Sequence, residues 1–129
     1  MNVIDSSGWL EYFAGEENAG FFDVPINDVE NLLVPVICLY EVFKRVLREL
    51  GEERALDAIG LMSFGQIIEL DRQLAINAAQ ISHELKLAMA DSLILATARA
   101  HNATLWTQDE HFKGLDGVNY LEKKRDPPM

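Results

Sequence analysis

Short runs of apolar and β-branched residues alternate along this chain with longer segments whose apolar positions recur every three or four residues. Runs at residues 2–4, 33–39, 66–70, 103–106 and 118–121 predict strands. Helices are predicted over residues 8–14, part of 19–31, 40–50, 52–62, 72–85 and 90–101. Within 72–85, Leu74, Ala78, Ile81 and Leu85 form an apolar stripe at helical spacing. Gly51 divides two helical segments and predicts a helical hairpin. Strands that alternate with helices imply a parallel sheet covered on both faces, a three-layer α/β/α sandwich of four to five strands. The nearly all-apolar VPVICL fits a strand buried on both sides. In such a sheet a functional site lies beyond the carboxyl ends of the strands, where strand order reverses.

Composition narrows the setting. A chain of 129 residues, 49% hydrophobic, fits one folded domain, here residues 1–122, followed by a polar tail over 123–129 with two prolines. The longest apolar run, residues 32–40, contains Pro35 and falls far short of the ~20 residues a membrane helix needs. The start, MNVIDSSGW, predicts no secretory signal. The lone Cys38 sits inside the apolar run and predicts a small buried hydrophobe. Together these features predict a cytoplasmic protein without membrane contact.

Charge adds a sharper constraint. The formal net charge is -10, and residues 1–43 hold eight acidic groups with no lysine or arginine. Phosphate contacts need cations, so a chain this acidic is a poor candidate for non-specific nucleic-acid binding. Solubility accounts for Glu16, Glu17, Asp23, Asp28 and Glu30. It does not account for acids set against the apolar, strand-like runs.

Four acids stand there. Asp5 follows the first strand, MNVI, and Glu41 follows the second, at the start of a helix. Asp91 opens the helix ADSLILATARA, where the helix dipole favours an anion. Asp109 lies just beyond the fourth strand, ATLW. Each also has a local role open to it. Asp5, with Ser6 and Ser7, can cap the next helix. Glu41 can pair with Arg45 one turn on. Asp91 can be a first-turn dipole residue, and Asp109 can cap the EHFKG turn. Four acids on one sheet edge repel unless a cation joins them, however, and all-oxygen ligation suits Mg²⁺ or Mn²⁺.

The segments VIDSSGWLEYF, VPVICLYEVFKRV, LAMADSLILATA and LWTQDEHFKGL resemble, in order, the four motif blocks of the PIN-domain family, and most of all its VapC-type toxins. The resemblance implies a PIN-like α/β/α sandwich and metal-dependent endonucleolytic cleavage of RNA. It places the family's acidic quartet on Asp5, Glu41, Asp91 and Asp109, as metal ligands and catalytic residues, and its polar threonine on Thr107. Ala88 and Met89 depart from it, since many relatives carry proline near that point. It also implies a cognate VapB-type antitoxin and a homodimer. The antitoxin is expected on an apolar helical surface containing Trp9, Tyr12 and Phe13.

The chemistry expected is in-line attack of a metal-activated water on a phosphodiester. Asp5, Asp91 and Asp109 are the expected principal ligands, and Glu41 binds a second ion or orients the water. Ser6 and Ser7 lack a nearby histidine base, so they are expected to support the metal-bound carboxylates rather than act as nucleophiles. His83, His101 and His111 show no zinc spacing and are expected at the surface or at helix ends. Lys44, Arg45, Arg48 and Arg54 form the main basic cluster, either a solvated face balanced by Glu49, Glu52 and Glu53 or a phosphate-positioning group. Two other classes remain open. One is a PIN fold that only binds a partner. The other is a receiver-like phosphoacceptor domain, which wants paired acids near the first strand and a later lysine where Thr107 and Gln108 stand.

Overall fold

The structure, a computed structural model, describes residues 1–123, so of the polar tail expected over 123–129 only Lys123 is covered. Among these residues β1 (Asn2–Ile4) is the middle strand of a five-stranded, all-parallel sheet. Strands β2 (Leu32–Pro35) and β3 (Gln66–Ile68) extend it on one side, β4 (Thr104–Thr107) and β5 (Val118–Tyr120) on the other. The order is β3-β2-β1-β4-β5. Helices α1 (Ser6–Ala14), α2 (Ala19–Asn27), α3 (Val36–Leu50), α4 (Glu52–Met62), α5 (Arg72–Leu85) and α6 (Met89–Ala100) flank it. This is the α/β architecture expected. A receiver-like domain orders its strands 2-1-3-4-5 instead, and that reading falls.

The central strands are apolar because both faces are covered. Val3 and Ile4 point to opposite sides of β1, and both are fully buried. Helix α6 is buried without a break from Ser92 to Ala98, so its sequence shows little polar face. Gly8 explains how α1 approaches the sheet. A Cβ there would lie 2.6 Å from both Ile4 Cγ2 and Phe22 Cε1, so only hydrogen fits.

The helices over residues 52–62 and 72–85 have the expected bounds. The run from 33 to 39 does not continue as a strand. β2 ends at Pro35 and α3 begins at Val36. Proline lacks the N–H that a continuing strand would use, while its fixed φ suits the entrance to a helix. Cys38, Val42 and Val46 then recur at i, i+4 and are buried, so the apolar run is helix core rather than strand. Glu41 therefore lies in the second turn of α3, not at its start.

A second correction concerns Trp9. It is fully buried and belongs to the main core, stacked on Phe13 with ring centroids 5.8 Å apart. It cannot line an exposed partner surface. Tyr12 and Phe13 are only partly buried. Among the described residues no helix is long and apolar enough to cross a membrane.

Candidate active site

The chain leaves β1, crosses to β2 and β3, and returns to β4 on the other flank of β1. The carboxyl ends of β1 and β4 are thus neighbours at the point where strand order reverses. Asp5 follows one and Asp109 the other, and the Asp5 amide donates to the Trp106 carbonyl at 3.2 Å.

Asp5 is the N-cap of α1, accepting the Gly8 amide at 2.9 Å. The same carboxylate accepts the Ser7 hydroxyl at 2.9 Å and the Thr107 hydroxyl at 2.7 Å. It is 2% exposed, and this burial pushes its pKa up to about 7. The bonds from Thr107, Gly8 and Ser7 oppose that rise, and the Asp109 charge adds to it. Cap and site carboxylate are therefore one group in two roles.

Glu41 accepts the Ser6 hydroxyl at 2.6 Å. The pairing with Arg45 that was open to Glu41 does not form, because Arg45 turns to Glu49 together with Arg48. Lys44 lies over the Tyr40 ring, 5.7 Å from its centroid, so much of the basic cluster is occupied locally.

Asp91, half-buried in the first turn of α6, behaves differently from Asp5. No hydrogen-bond donor among the described residues reaches its carboxylate. Burial, then the charges of Asp109 and Glu41, raise its pKa to about 6, and His111 opposes the rise. Asp109 caps the short 3-10 turn Glu110–Phe112 through the His111 amide at 2.9 Å. Its Oδ1 also meets His111 Nδ1 at 2.8 Å. Asp91, Asp109 and His111 each offer one ligand atom within 4.8 Å of the others, and Asp5 and Glu41 stand outside this group.

These donors fit a divalent cation. Two ligands at about 2.1 Å from one ion lie about 3 Å apart side by side and about 4.2 Å apart across it. Asp91 is also an acceptor-only group with raised pKa and no donor, the condition that a cation relieves.

Two features were missed in the sequence. His111, though 69% exposed as a surface histidine should be, sits against Asp109 and Asp91. Its signal was the Asp-x-His spacing within one tight turn. The second is a buried polar network around Gln108, which donates to Glu11 at 3.2 Å and accepts from Asn18 at 3.1 Å. It ties the end of β4 to α1. Its only linear signal was a glutamine between Thr107 and Asp109. Beside the acids, beyond Ser7 and Gln108, runs a cleft of about 1090 Å³ bordered by Phe13, Arg45, Arg54 and Tyr120.

Comparison with other proteins agrees with this fold. No curated protein is similar enough in sequence to count as a relative. Solved structures share its fold. A toxin–antitoxin complex from Klebsiella pneumoniae contains a chain 25% identical, with TM-score 0.77 over 92% of this chain and 96% of that one. VapC20 of Mycobacterium tuberculosis, described as a sarcin-ricin loop cleaving toxin, is 17% identical, with TM-score 0.74 over 90% and 95%. VapBC2 from Rickettsia felis, bound to a DNA fragment from its promoter, gives 17% identity and TM-score 0.72 over 94% and 97%. The family described as the PIN domain matches residues 3–118, nearly the whole described chain and all four acids, and this protein belongs to that family.

Proposed function

We propose that the chain is a metal-dependent endoribonuclease, the toxin of a toxin–antitoxin pair, with Mg²⁺ or Mn²⁺ as its cofactor. The observation that carries this reading is Asp91, a half-buried carboxylate facing Asp109 and Glu41 with no donor of its own. When bound, the ion supplies Lewis acidity, lowering the pKa of a water and offsetting charge on the phosphate. Asp5, Asp91 and Asp109 are its principal holders. Glu41, fixed by Ser6, orients the attacking water or holds a second ion. Ser7 and Thr107 favour the ionised form of Asp5 and aim it by donating to it. Local reversal of sign reconciles a net charge of -10 with an anionic RNA. Arg54, on the border of the neighbouring cleft, is the candidate for positioning phosphates, since Arg45 beside it pairs with Glu49.

The likeness to the Klebsiella complex, at 25% identity, supports an antitoxin of VapB type as partner. With Trp9 in the core, the partner surface narrows to the partly buried Tyr12 and Phe13 on α1, of which Phe13 borders the cleft. A homodimer acting in the cytoplasm completes the reading.

The test is cleavage of RNA by the purified chain with and without EDTA, alongside Asp91→Asn. Cleavage that stops in EDTA, returns with Mg²⁺ or Mn²⁺ and is absent from the variant is expected. Cleavage indifferent to EDTA would sink metal dependence. No cleavage under any condition would leave a PIN fold that only binds a partner.

A further inference from the structure

We propose that His111 is a nitrogen ligand of the ion held by Asp91 and Asp109, so that the centre prefers a first-row transition ion such as Mn²⁺ to Mg²⁺. This rests on the metal-site reading above and goes beyond its all-oxygen donor set. The geometry gathers three donors at one point. His111 Nδ1 lies 2.8 Å from Asp109 Oδ1, an ion-pair contact that holds the ring against the carboxylate, and a bound cation would take the place of the proton between them. Asp91 completes a group within 4.8 Å.

The turn holds this arrangement in place. Asp109 Oδ1 accepts the His111 amide, and the 3-10 turn leaves the imidazole on the carboxylate's side. Asp109 Oδ2 has no hydrogen-bond partner among the described residues and is open to the ion. His111 is the third member of this group, and the donor it offers is a nitrogen.

Donor type then decides the metal. Mg²⁺ prefers oxygen ligands and keeps several waters, so an imidazole adds little to its binding. Transition divalent ions gain from imidazole, in the order Mn²⁺, Fe²⁺, Co²⁺, Ni²⁺. The nitrogen therefore selects among cations that four carboxylates alone would not separate.

The experiment measures Mn²⁺ binding to the full chain by electron paramagnetic resonance, with pulsed detection of nitrogen hyperfine coupling, and Mg²⁺ binding by calorimetry. Wild type, His111→Gln and Asp91→Asn are compared. His111 is exposed, so His111→Gln should fold, and its melting curve without metal verifies this. Wild type should show nitrogen coupling. His111→Gln should lose the coupling and about tenfold or more of Mn²⁺ affinity, with Mg²⁺ affinity unchanged. Bound Mn²⁺ without nitrogen coupling, or an unchanged Mn²⁺ to Mg²⁺ ratio in His111→Gln, overturns the proposal while leaving the metal site intact. If wild type binds neither ion, or Asp91→Asn binds Mn²⁺ as wild type does, the metal site itself is wrong and the proposal falls with it.

Discussion

Thr107 donates its hydroxyl to Asp5 at 2.7 Å, joining residues 102 positions apart, and with the same oxygen accepts the Asp109 amide at 2.9 Å. One side chain thus links the ends of β1 and β4 and orders two of the four acids. Because Thr107 must donate to Asp5, that carboxyl is held as an acceptor despite its burial. Thr107→Val keeps the shape and removes both bonds. Chemical denaturation should show a loss of about 1–3 kcal/mol, since buried groups are left unpaired. RNA cleavage should fall about 10–100-fold, as for other groups that orient metal ligands. Thr107→Ser should restore most of both. Equal activity in the valine variant would remove Thr107 from the site.

Asp91 and Asp5 make the metal-free protein sensitive to pH in a defined direction. Both folded-state pKa values lie above the ordinary carboxyl value, near 6 and 7 against 3.8. The folded state therefore binds protons more tightly than the unfolded one, and stability falls as pH rises. The window runs from about pH 4 to about pH 7. In EDTA, Asp91→Asn should flatten part of this slope and melt higher than wild type near neutral pH. Added Mg²⁺ should raise wild type by about 2.7 kcal/mol at a hundredfold excess over Kd, and the variant by much less. Melting curves across pH, with and without metal, decide it. A wild type that ignores Mg²⁺, with a variant less stable in EDTA, would make these carboxylates structural.

Gly8 and Gly60 should respond oppositely to the same methyl group. At Gly8 a Cβ collides with Ile4 and Phe22, whereas at Gly60, in α4, nothing lies within 4 Å. Gly8→Ala should cost about 1–3 kcal/mol by forcing α1 off the sheet. Gly60→Ala should stabilise by about 0.5–1 kcal/mol through helix propensity. Urea unfolding of both variants measures this, and a neutral Gly8→Ala would contradict the close approach of α1 and α2.

Trp9 separates packing from partner binding. Its burial implies a loss of about 3–5 kcal/mol in Trp9→Ala. Trp9→Phe should cost far less, because the indole N–H is buried without a hydrogen-bond partner and its removal forfeits none. Antitoxin affinity, measured by calorimetry, should instead weaken in Tyr12→Ala. Full affinity there would exclude α1 as the partner surface.

The sequence by itself determined the alternation of strands and helices, the helices over 52–62 and 72–85, and the placement of Asp5 and Asp109 just beyond strands and of Asp91 at a helix start. These are short-range properties. An apolar stripe, a dividing glycine or an acid beside an apolar run is decided within one or two turns of chain. Only the tertiary structure decided where the run 32–40 changes from strand to helix. A continuously apolar segment suits a buried strand and a buried helix equally, and Cys38, Val42 and Val46 settle it by packing on the core. The same holds for Trp9, whose helical spacing with Tyr12 and Phe13 did not specify which way the helix faced. The site was legible as a set of residues but not as an arrangement. That Asp91 and Asp109 meet His111, while Ser6 holds Glu41 and Thr107 holds Asp5, depends on β4 pairing with β1 across a hundred residues. Strand order is set by the burial of the whole sheet, and no local pattern encodes it.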